Sequence, residues 1–420
     1  MRTLALLVVN AGSSSVKFAL FAYPPHDDPA RRPLHEGEAV ETGNGVSIRF
    51  DAEPAGTLPL GASDPCRDVL ARIATWIRGQ LPHITVGAIA HRVVHGGTRF
   101  MEPVIVDDAV LGALRTLTPL APLHQPHGLD AIDVLRGAFP GVPHIAVFDT
   151  AFHRTLPRTE QLLPLPHARF DEGVRRYGFH GLSYEYLAVA LDEGVRRYGF
   201  HGLSYEYLAV ALDERFGARA HGRVIAAHLG SGASLCAMRD CRSVATTMGF
   251  SALDGLMMST RCGALDPGVV LHLLEVGKLS GDALGHLLYH ESGLKGVSGA
   301  SGDPRVLLAR EAAGDAPAAD ALALYVHRIV REAGALTALL GGLDMLVFTA
   351  GIGEHSAVLR ERICASLGWL GIDLDVCANA GHAQVVSSAS SAVTVVVEPT
   401  NEAWVAARAA VRVLRGNRAA

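Results

Sequence analysis

Two segments of the sequence, 218 residues apart, repeat one local pattern of an apolar run, a turn of small residues and a second apolar run. Each segment reads as a β-hairpin, because a short Gly/Ser turn between two apolar strands reverses the chain. A pair of matching hairpins predicts a duplicated domain, and the alternative is two unrelated hairpins. The two segments are NAGSSSVKFAL at 10–20 and HLGSGASLCAM at 228–238.

Strands and helices alternate along the rest of the chain, which favours an α/β fold. The segment 24–65, rich in Pro, Gly and charge, is expected to hold a weak hairpin and loops. Short apolar runs predict strands at 3–9, 16–21, 88–94, 145–148, 223–229, 234–238, 343–349 and 393–397. Apolar residues spaced by three or four predict helices at 66–80, 108–117, 129–139, 320–340, 357–367 and 402–414.

A 21-residue segment, DEGVRRYGFHGLSYEYLAVAL, occurs without change at 171–191 and again at 192–212. Solenoid arrays need at least three repeats, so two identical copies do not form one. The pattern indicates a tandem duplication, in which one copy is an insertion. The motif YGFHG therefore occurs twice, with His180 and with His201.

Composition limits the class of protein. The 420 residues carry a net charge of −5, and this slightly acidic balance argues against a nucleic-acid binder. Apolar runs are shorter than the roughly 18 residues of a membrane span, and the opening run of about six lacks the pattern of a signal peptide. We therefore expect a cytoplasmic protein that binds neither nucleic acid nor membrane. The cysteines form no CxxC pair, so we expect reduced thiols.

Several charged residues follow strands or glycine-rich turns, where catalytic groups are often found. Lys17 ends a small-residue turn that could approach a phosphate, although the spacing is not that of a P-loop. Arg92 could hold a carboxylate or phosphate, and Asp149 follows a strand. An ordinary turn, a surface arginine and a capping aspartate are the alternatives. Arg261 lies in a loop with two glycines, and AGIGEHS at 350–356 is expected to be a phosphate-facing turn.

Two histidines, His124 and His127, lie in a Pro-rich loop, LAPLHQPHG. They suggest polar recognition rather than a metal site, which would need a carboxylate or a third histidine nearby. Glu402, by contrast, begins a helix in the motif PTNE, near a possible metal.

Taken in order, nine motifs across nearly the whole chain resemble the acetate kinase family. They are NAGSSSVKF, HRVVHGG, LAPLH, FDTAFH, RRYGFHG, HLGSG, the MMSTRCG–LDPG segment, AGIGEHS and PTNE. The resemblance implies membership of the acetate and sugar kinase, chaperone ATPase and actin superfamily. The implied fold is α/β, with two RNase H-like domains of the actin-type ATPase kind and a nucleotide cleft between them. We expect one domain over 1–153 plus 401–420 and the other, containing the duplication, over 154–400.

The resemblance also implies a reaction, ATP + acetate ⇌ ADP + acetyl phosphate, with Mg²⁺ (Mn²⁺ possible) as cofactor and a homodimer as the assembly. The implied catalytic residues are Arg92, His124, Asp149, His180 or His201, and Arg261. Residues implied to line ATP are Lys17, His228, Leu229, Gly230, Ser231, Gly232, Asp303, Pro304, Arg305, Gly351, Ile352, Gly353, Glu354 and His355. Arg92, Val94 and Leu123 are implied for the acyl pocket, and Asn10 and Glu402 for the metal.

Alternatives to acetate kinase are a propionate or other short-chain acyl kinase, a nucleotide-binding scaffold, and an inactive product of the duplication. Ala252 stands where the family often has proline in the acyl pocket, so propionate use is expected. Either copy of the repeat could supply the histidine of the site. The number of residues that separates it from Asp149 favours His180, and the number that separates it from Gly230 favours His201. The Pro-rich stretch 156–166 reads as a loop that tolerates an insertion, which favours His201 in the site.

Overall fold

The computed structural model describes residues 3–11, 15–23, 27–42, 45–51, 53–58, 65–94, 96, 99–100, 102–118, 125–149, 152, 155–161, 201–249 and 251–418. These residues form two compact units. The first unit contains the described residues up to 149 together with those from Asn401 onward, and the second contains the described residues from 152 to 400.

The described part of the first unit is built on an eight-stranded mixed sheet. Its strands are β1 Thr3–Ala11, β2 Ser15–Ala22, β3 His35–Thr42, β4 Gly45–Phe50, β5 Glu53–Leu58, β6 Ile84–Val93, β7 Val104–Ile105 and β8 His144–Phe148. Their order in the sheet is β5-β4-β3-β2-β1-β6-β8-β7. The pairs β1–β6 and β6–β8 are parallel, and the other pairs are antiparallel.

Helices cover both faces of this sheet. They are α1 Pro65–Gln80, α2 Asp108–Thr116, α3 Gln125–Ala138 and, from the end of the chain, Glu402–Arg418. Alternate residues of β1 (Ala5, Leu7 and Val9) join a core with α1 and α3. Leu6 and Val8, which point the other way, are also buried. The Glu402–Arg418 helix packs on β1, β6 and β8 and so covers this second face.

The segment 24–65 differs from the sequence expectation of a weak hairpin and loops, because it contributes the three paired strands β3, β4 and β5. Ile48 and Phe50 of β4 are buried against α1. The ring of Phe50 stacks on Trp76 with centroids 4.4 Å apart, and Phe18 meets Phe50 edge-on at 5.4 Å. This packing with a distant helix stabilises strands whose composition alone reads as loop.

The second unit, in its described residues, has a five-stranded sheet in the order β11-β10-β9-β12-β13. The strands are β9 Val224–Leu229, β10 Ala233–Arg239, β11 Arg242–Thr246, β12 Met345–Thr349 and β13 Thr394–Val397. All residues of β9, β12 and β13 are buried, as expected for parallel strands covered on both faces. The hairpin β9–β10 lies beside the parallel strand β12, just as β1–β2 lies beside β6. The predicted pair of matching hairpins in an α/β fold is therefore confirmed.

The remaining described helices begin with the one-turn α4, Arg158–Gln161. The helices that follow are α5 Gly202–Phe216, α6 Pro267–Glu275, α7 Gly281–His290, α8 Gly293–Ser298, α9 Pro304–Ala312, α10 Ala316–Leu340, α11 Ala350–His355, α12 Ala357–Ser366 and α13 Val376–Ala380. The longest of them, α10, begins four residues before the sequence expectation, because the Asp315 side chain caps it by accepting from the Ala318 N–H. The Glu402–Arg418 helix is α14. Within the described residues, the helices are too short or too polar to cross a bilayer.

The α14 helix is anchored to the first unit through Trp404. The indole ring lies between the guanidinium groups of Arg31 and Arg408, at 4.9 and 5.1 Å from its centroid. Its Nε1–H donates to the Pro29 carbonyl at 2.9 Å. Because Trp404 is two residues after Glu402, this anchor fixes the start of the helix.

A buried histidine pair joins β6 to β8. His91 Nε2 lies 2.9 Å from His144 Nδ1, and the rings stack with centroids 5.1 Å apart. Burial lowers the pKa of His91 well below its ordinary value of 6.5, and burial with the nearby Arg136 charge lowers that of His144 to about 4. His91 Nδ1 and His144 Nε2 have no hydrogen-bond partner among the described residues. The folded protein therefore holds both rings neutral at pH 7.

We predict that this pair makes the protein acid-sensitive. Between pH 6.5 and about 4 the unfolded chain binds a proton at His144 that the folded chain does not. The contribution of His144 to the free energy of unfolding is therefore fully present above pH 6.5 and is lost as the pH falls below it. The free energy of unfolding should drop by about 2 kcal/mol more from pH 7 to pH 5 in the wild type than in His144→Gln. Denaturant unfolding at several pH values measures this difference. His286→Gln, at an exposed ring, is the control; parallel curves for wild type and His144→Gln would contradict the prediction.

Candidate functional site

Polar residues of the first unit meet at one edge of its sheet. Asn10 lies near the end of β1, Arg92 near the end of β6, and Asp149 directly after β8. The three strands are parallel neighbours, so their carboxyl ends share an edge. Glu402 joins them as the first residue of α14. The structure thus brings together four residues that the sequence analysis singled out.

Arg92 is the centre of this cluster. Its Nε donates to both oxygens of Asp149, at 3.0 and 2.8 Å, and one amino group also donates to Asp149 Oδ2. The other amino group donates to Asn10 Oδ1 at 3.0 Å, and Glu402 Oε2 lies 3.9 Å from Nε. Burial lowers the pKa of Arg92, but the charges of Asp149 and Glu402 outweigh it and raise that pKa overall. Asp149 is fully buried, whereas the Arg92 side chain keeps 23% of its surface exposed.

Oxygen donors in this cluster suit a hard cation. Asn10 offers an amide oxygen and Glu402 a carboxylate that is 21% exposed. Mg²⁺ is usually held by one or two carboxylates, with waters and substrate phosphates completing its shell. In the part of the chain that is described, there is no group of three or more His, Cys, Asp or Glu side chains that could enclose a metal. The donor set therefore fits a metal shared with a phosphate ligand better than one caged by protein.

Lys17 and Val94 lie close to this cluster along the strands. Lys17 is the partner of Asn10 in the β1–β2 register, and its side chain is exposed. Val94 follows the last residue of β6 and is buried. The other residues predicted for this region, Leu123 and His124, lie outside the described residues.

His201 is the centre of a second cluster, in the second unit. It precedes α5 with a left-handed φ of 57°, and its ring stacks on His228 with centroids 3.8 Å apart. His201 Nδ1 lies 2.7 Å from Ser234 Oγ, which is 2.5 Å from the Tyr205 hydroxyl. His228 Nδ1 lies 3.0 Å from Ser204 Oγ. The second copy of the repeat therefore contacts β9 and β10; His180, in the first copy, lies outside the described residues.

Arg261 lies beside the same glycine-rich turn as His201. A Cβ placed on Gly232 would lie 3.3 Å from His201 Nε2 and 3.9 Å from an Arg261 amino nitrogen. Arg261 donates to the Ala252 carbonyl at 3.3 Å and lies 3.6 Å from Met258 Sδ, and no carboxylate of the described residues is within ion-pair distance. Burial lowers the pKa of Arg261. A half-buried cation without a carboxylate partner among the described residues suits an anionic ligand.

The predicted nucleotide segments lie near this turn in the second unit. The Ser259 N–H donates to the Ser231 carbonyl at 3.3 Å, and a Cβ on Gly302 would lie 2.9 Å from the Ser259 carbonyl. A Cβ on Gly230 would lie 3.6 Å from Cβ of Ala350. Ser259 therefore lies between Ser231 and Gly302, the residue before 303–305, and Ala350 lies beside Gly230.

One of these segments differs in conformation from the sequence expectation. Residues 350–354 were expected to be a turn, but Ala350–His355 is the short helix α11, entered through Ala350 at a φ of 64°. Asp303 caps α9 through the Arg305 N–H, and its carboxylate also binds the Arg305 guanidinium at 2.7 to 3.1 Å. Pro304 takes the first position of that helix, where its missing N–H costs nothing.

Sequence reasoning missed the hydroxyl groups that hold the two histidines, Ser204, Tyr205 and Ser234. Tyr205 and Ser234 are completely buried. The signal was available in part, because Ser234 belongs to the second hairpin motif and Tyr205 to the repeated segment. Nothing in the sequence indicated that a strand serine and a helix tyrosine would meet.

The fold is that of the actin-like ATPases, as the solved structures show. Acetate kinase from Porphyromonas gingivalis matches with a TM-score of 0.81 and 32% identity, covering 98% of this chain and 99% of that one. A propionate kinase from Francisella tularensis subsp. tularensis matches with a TM-score of 0.84 and 32% identity, covering 97% and 99%. The predicted fold class is confirmed.

The sequence model of the Acetokinase family matches residues 5–193 and 188–408, two stretches that overlap within the tandem repeat. The chain belongs to the acetokinase family. Acetate kinase of Rhodopseudomonas palustris (strain ATCC BAA-98 / CGA009) is 47% identical over 98% of this chain and 99% of its own length. Acetate kinase of Methylocella silvestris is 45% identical, covering 96% of each.

The loop that carries Arg261 is held by the start of α8. The Leu294 N–H donates to the Met258 carbonyl at 2.9 Å, and the Ser292 N–H donates to the Thr260 carbonyl at 3.0 Å. Gly293 has a φ of 65°, and a Cβ there would lie 2.2 Å from the Met258 carbonyl oxygen and 2.8 Å from that of Arg261. Only glycine fits this position without moving the loop.

We therefore predict that Gly293→Ala displaces Arg261. The free energy of unfolding should fall by at least about 2 kcal/mol, because the left-handed conformation and the backbone clash both penalise a Cβ. Because the family resemblance implies a catalytic role for Arg261, we expect phosphoryl transfer to fall by about tenfold or more, since small misplacements of such a group cost at least that. Gly285→Ala, in α7 with open space at its Cβ, is the matched control for both measurements. Equal behaviour of the two variants would show that Gly293 does not support the loop.

Proposed function

We propose that this chain is an acetate kinase, which transfers the γ-phosphoryl group of ATP reversibly to acetate and forms acetyl phosphate. The observation that carries the proposal is a pair of arginines. Arg92 contacts the carboxylates of Asp149 and Glu402, whereas Arg261 has no carboxylate partner among the described residues. Transfer of a phosphoryl group to a carboxylate brings two anions together and spreads charge over three phosphoryl oxygens. Arg92 and Arg261 supply the fixed positive charge that such a reaction needs.

The proposed acceptor needs no general base. Acetate, like Asp and Glu, has a pKa of roughly 4 to 5, so it is ionised at neutral pH. Asp149 is buried and bound to Arg92 by several hydrogen bonds. We therefore assign Asp149 to fixing the Arg92 guanidinium, rather than to accepting a proton. His201, whose Nε2 is near Gly232, donates a hydrogen bond to the transferred phosphoryl group; His124 takes the same kind of role by family resemblance.

Mg²⁺, with Mn²⁺ as a substitute, is the proposed cofactor. Asn10 and Glu402 would hold it, and it would neutralise charge on the nucleotide phosphates. Lys17 approaches those phosphates as a point charge. The segments 228–232, 303–305 and 350–355 line the nucleotide, and the glycines of the first and last segments permit close approach of a ligand.

Acetate is the proposed acyl substrate, with Val94 and Leu123 in contact with its methyl group. Propionate is the second candidate, because a propionate kinase is among the structures that resemble this chain and because Ala252 is smaller than proline. One methylene changes discrimination by only about 1 to 3 kcal/mol. A hydroxamate assay of acyl phosphate on acetate, propionate and butyrate decides between them. Absence of product from all three would leave the nucleotide-binding scaffold and the inactive duplication product.

We propose a homodimer in the cytoplasm, where ATP is available. Helix α6 supports self-association because none of its residues is buried, although its sequence is largely apolar. Leu271 is 55% exposed and Val276, its C-cap, 66% exposed. Exposed apolar patches of this kind mark interaction surfaces. Sedimentation of the purified chain measures the assembled mass, and a mass of one chain, 44.3 kDa, would refute the dimer.

We predict that Arg92→Ala and Arg261→Ala each lower turnover at least a hundredfold. The reason is the loss of a donor to the transition state, worth roughly 3 kcal/mol or more. Lysine should restore little at Arg92, because a point charge cannot copy the bidentate fork to Asp149. Arg331→Ala is the matched control, since that arginine on α10 is exposed and pairs with its neighbour Glu332. Wild-type rates in either alanine variant would remove that arginine from the mechanism.

The two copies of the repeat predict different outcomes for otherwise identical substitutions. His201 contacts His228 and Ser234, so His201→Ala should reduce acetyl phosphate formation strongly, by about a hundredfold or more. His180→Ala should reduce it less than threefold. A large loss in His180→Ala alone would reverse the assignment, and equal small losses would mean that the copies substitute for each other. The double variant then reports the combined contribution.

A further inference from the structure

Helix α12 carries an arginine in the protein interior. Arg360 is 1% exposed and is the largest fully buried side chain in the described part of the chain. It lies among the buried residues Leu359, Ile363 and Cys364 of the same helix. Burial of a guanidinium is costly unless its charge and its donors are matched by partners.

Four of the five N–H donors of Arg360 have oxygen acceptors, and the fifth faces His382 Nδ1, which also lies 3.0 Å from the Glu354 carbonyl. Nε donates to Asn379 Oδ1 at 2.8 Å. One amino group donates to the carbonyls of Gly353 and Glu354, at 2.9 and 2.7 Å. The other donates to the Asn379 carbonyl at 2.8 Å and lies 3.0 Å from His382 Nδ1. No carboxylate of the described residues is within ion-pair distance, so the charge is balanced by oriented dipoles.

Two of these acceptors belong to the last turn of α11. The final carbonyls of a helix have no partner within the helix, so a cation placed there satisfies them and matches the negative end of the helix dipole. Arg360 is thus the C-terminal cap of α11. Its other partners, Asn379 and His382, belong to α13 and the residues after it. The Asn379 side chain also donates to the Ala357 carbonyl at 3.0 Å, which ties the same region to the start of α12.

The outer side of α11 is accessible. Gly351 and His355 are exposed, and open space surrounds the position that a Cβ on Gly351 would take. Gly353, whose carbonyl Arg360 holds, is buried. Arg360 therefore holds α11 from within the unit and leaves the other side of the helix for a ligand.

We propose that Arg360 is a positioning residue for the nucleotide, which fixes the backbone of α11 in the conformation that receives ATP. The inference rests on the proposed function, through the assignment of 350–355 to nucleotide binding. It predicts that damage to the Arg360 contacts weakens ATP binding while acetate use by the bound enzyme changes little.

The test is Arg360→Lys, which keeps the charge but offers three donors in place of five. The dissociation constant for ATP with Mg²⁺, measured by calorimetry, should rise at least tenfold, and the KM for acetate at saturating ATP should stay within twofold. Arg362→Lys is the matched control on the same helix, because Arg362 pairs with Glu311 at 3.1 and 2.7 Å and is 37% exposed. Its ATP affinity should stay within twofold of the wild type.

His382→Ala gives a second test if Arg360→Lys does not fold. It removes a ring that contacts both Arg360 and the Glu354 carbonyl, and it should weaken ATP binding by about threefold to fivefold, the effect of one ordinary hydrogen bond. Unchanged ATP affinity in a folded Arg360→Lys, or in His382→Ala, would overturn the proposal. The proposal would also be overturned if the dissociation constant for ATP and the KM for acetate rose by the same factor, because that result indicates general damage to the protein. A wild type that binds ATP but forms no acyl phosphate refutes the proposed function and leaves the ATP-binding test of Arg360 intact.

Discussion

The ion pair between Arg92 and Asp149 is the interaction on which the first unit depends. Asp149 is fully buried, and a buried carboxylate without a partner would destabilise the fold by several kcal/mol. Arg92 neutralises it and at the same time joins β1, through Asn10, to the start of α14, through Glu402. Four elements are therefore fixed by one guanidinium. The same group keeps an exposed edge, so the residue that stabilises this sheet edge also supplies charge to the site.

The arginines of the two clusters have different surroundings. In the first unit, Arg92 is surrounded by oxygen acceptors from Asn10, Asp149 and Glu402. In the second unit, the half-buried Arg261 contacts a carbonyl and a thioether, and its neighbour across Gly232 is the ring of His201. A cation already paired with carboxylates gains less from an arriving anion than a cation that lacks such partners. Arg261 is therefore the better candidate for a group that responds to the phosphoryl transfer.

Sequence patterns predicted the parts of the structure that depend on local order along the chain. Arg92 was singled out near the end of an apolar strand and Asp149 just after one, and parallel pairing then brings strand ends together. For 24–65 the sequence predicted only a weak hairpin and loops, because the three strands observed there depend on Trp76, a residue outside that segment. The turn predicted at 350–354 was wrong. Ala350 begins a helix there through a left-handed backbone conformation, which an alanine in the sequence does not indicate. Arg360 gave no sequence signal of burial, since a charged residue on a helix is ordinarily exposed.

Helix α14 also has a consequence for how the protein is made. Its residues reach β1, β6 and β8 from the far end of the chain, and Glu402 is synthesised 253 residues after Asp149. At about 5 to 20 residues per second, the ribosome needs on the order of ten seconds or more to cover that distance. During that time the first unit has its sheet residues but lacks the helix that covers the Leu6 and Val8 face. The second unit, whose residues lie between, can complete its sheet first, so the half that begins the chain is the last to finish folding.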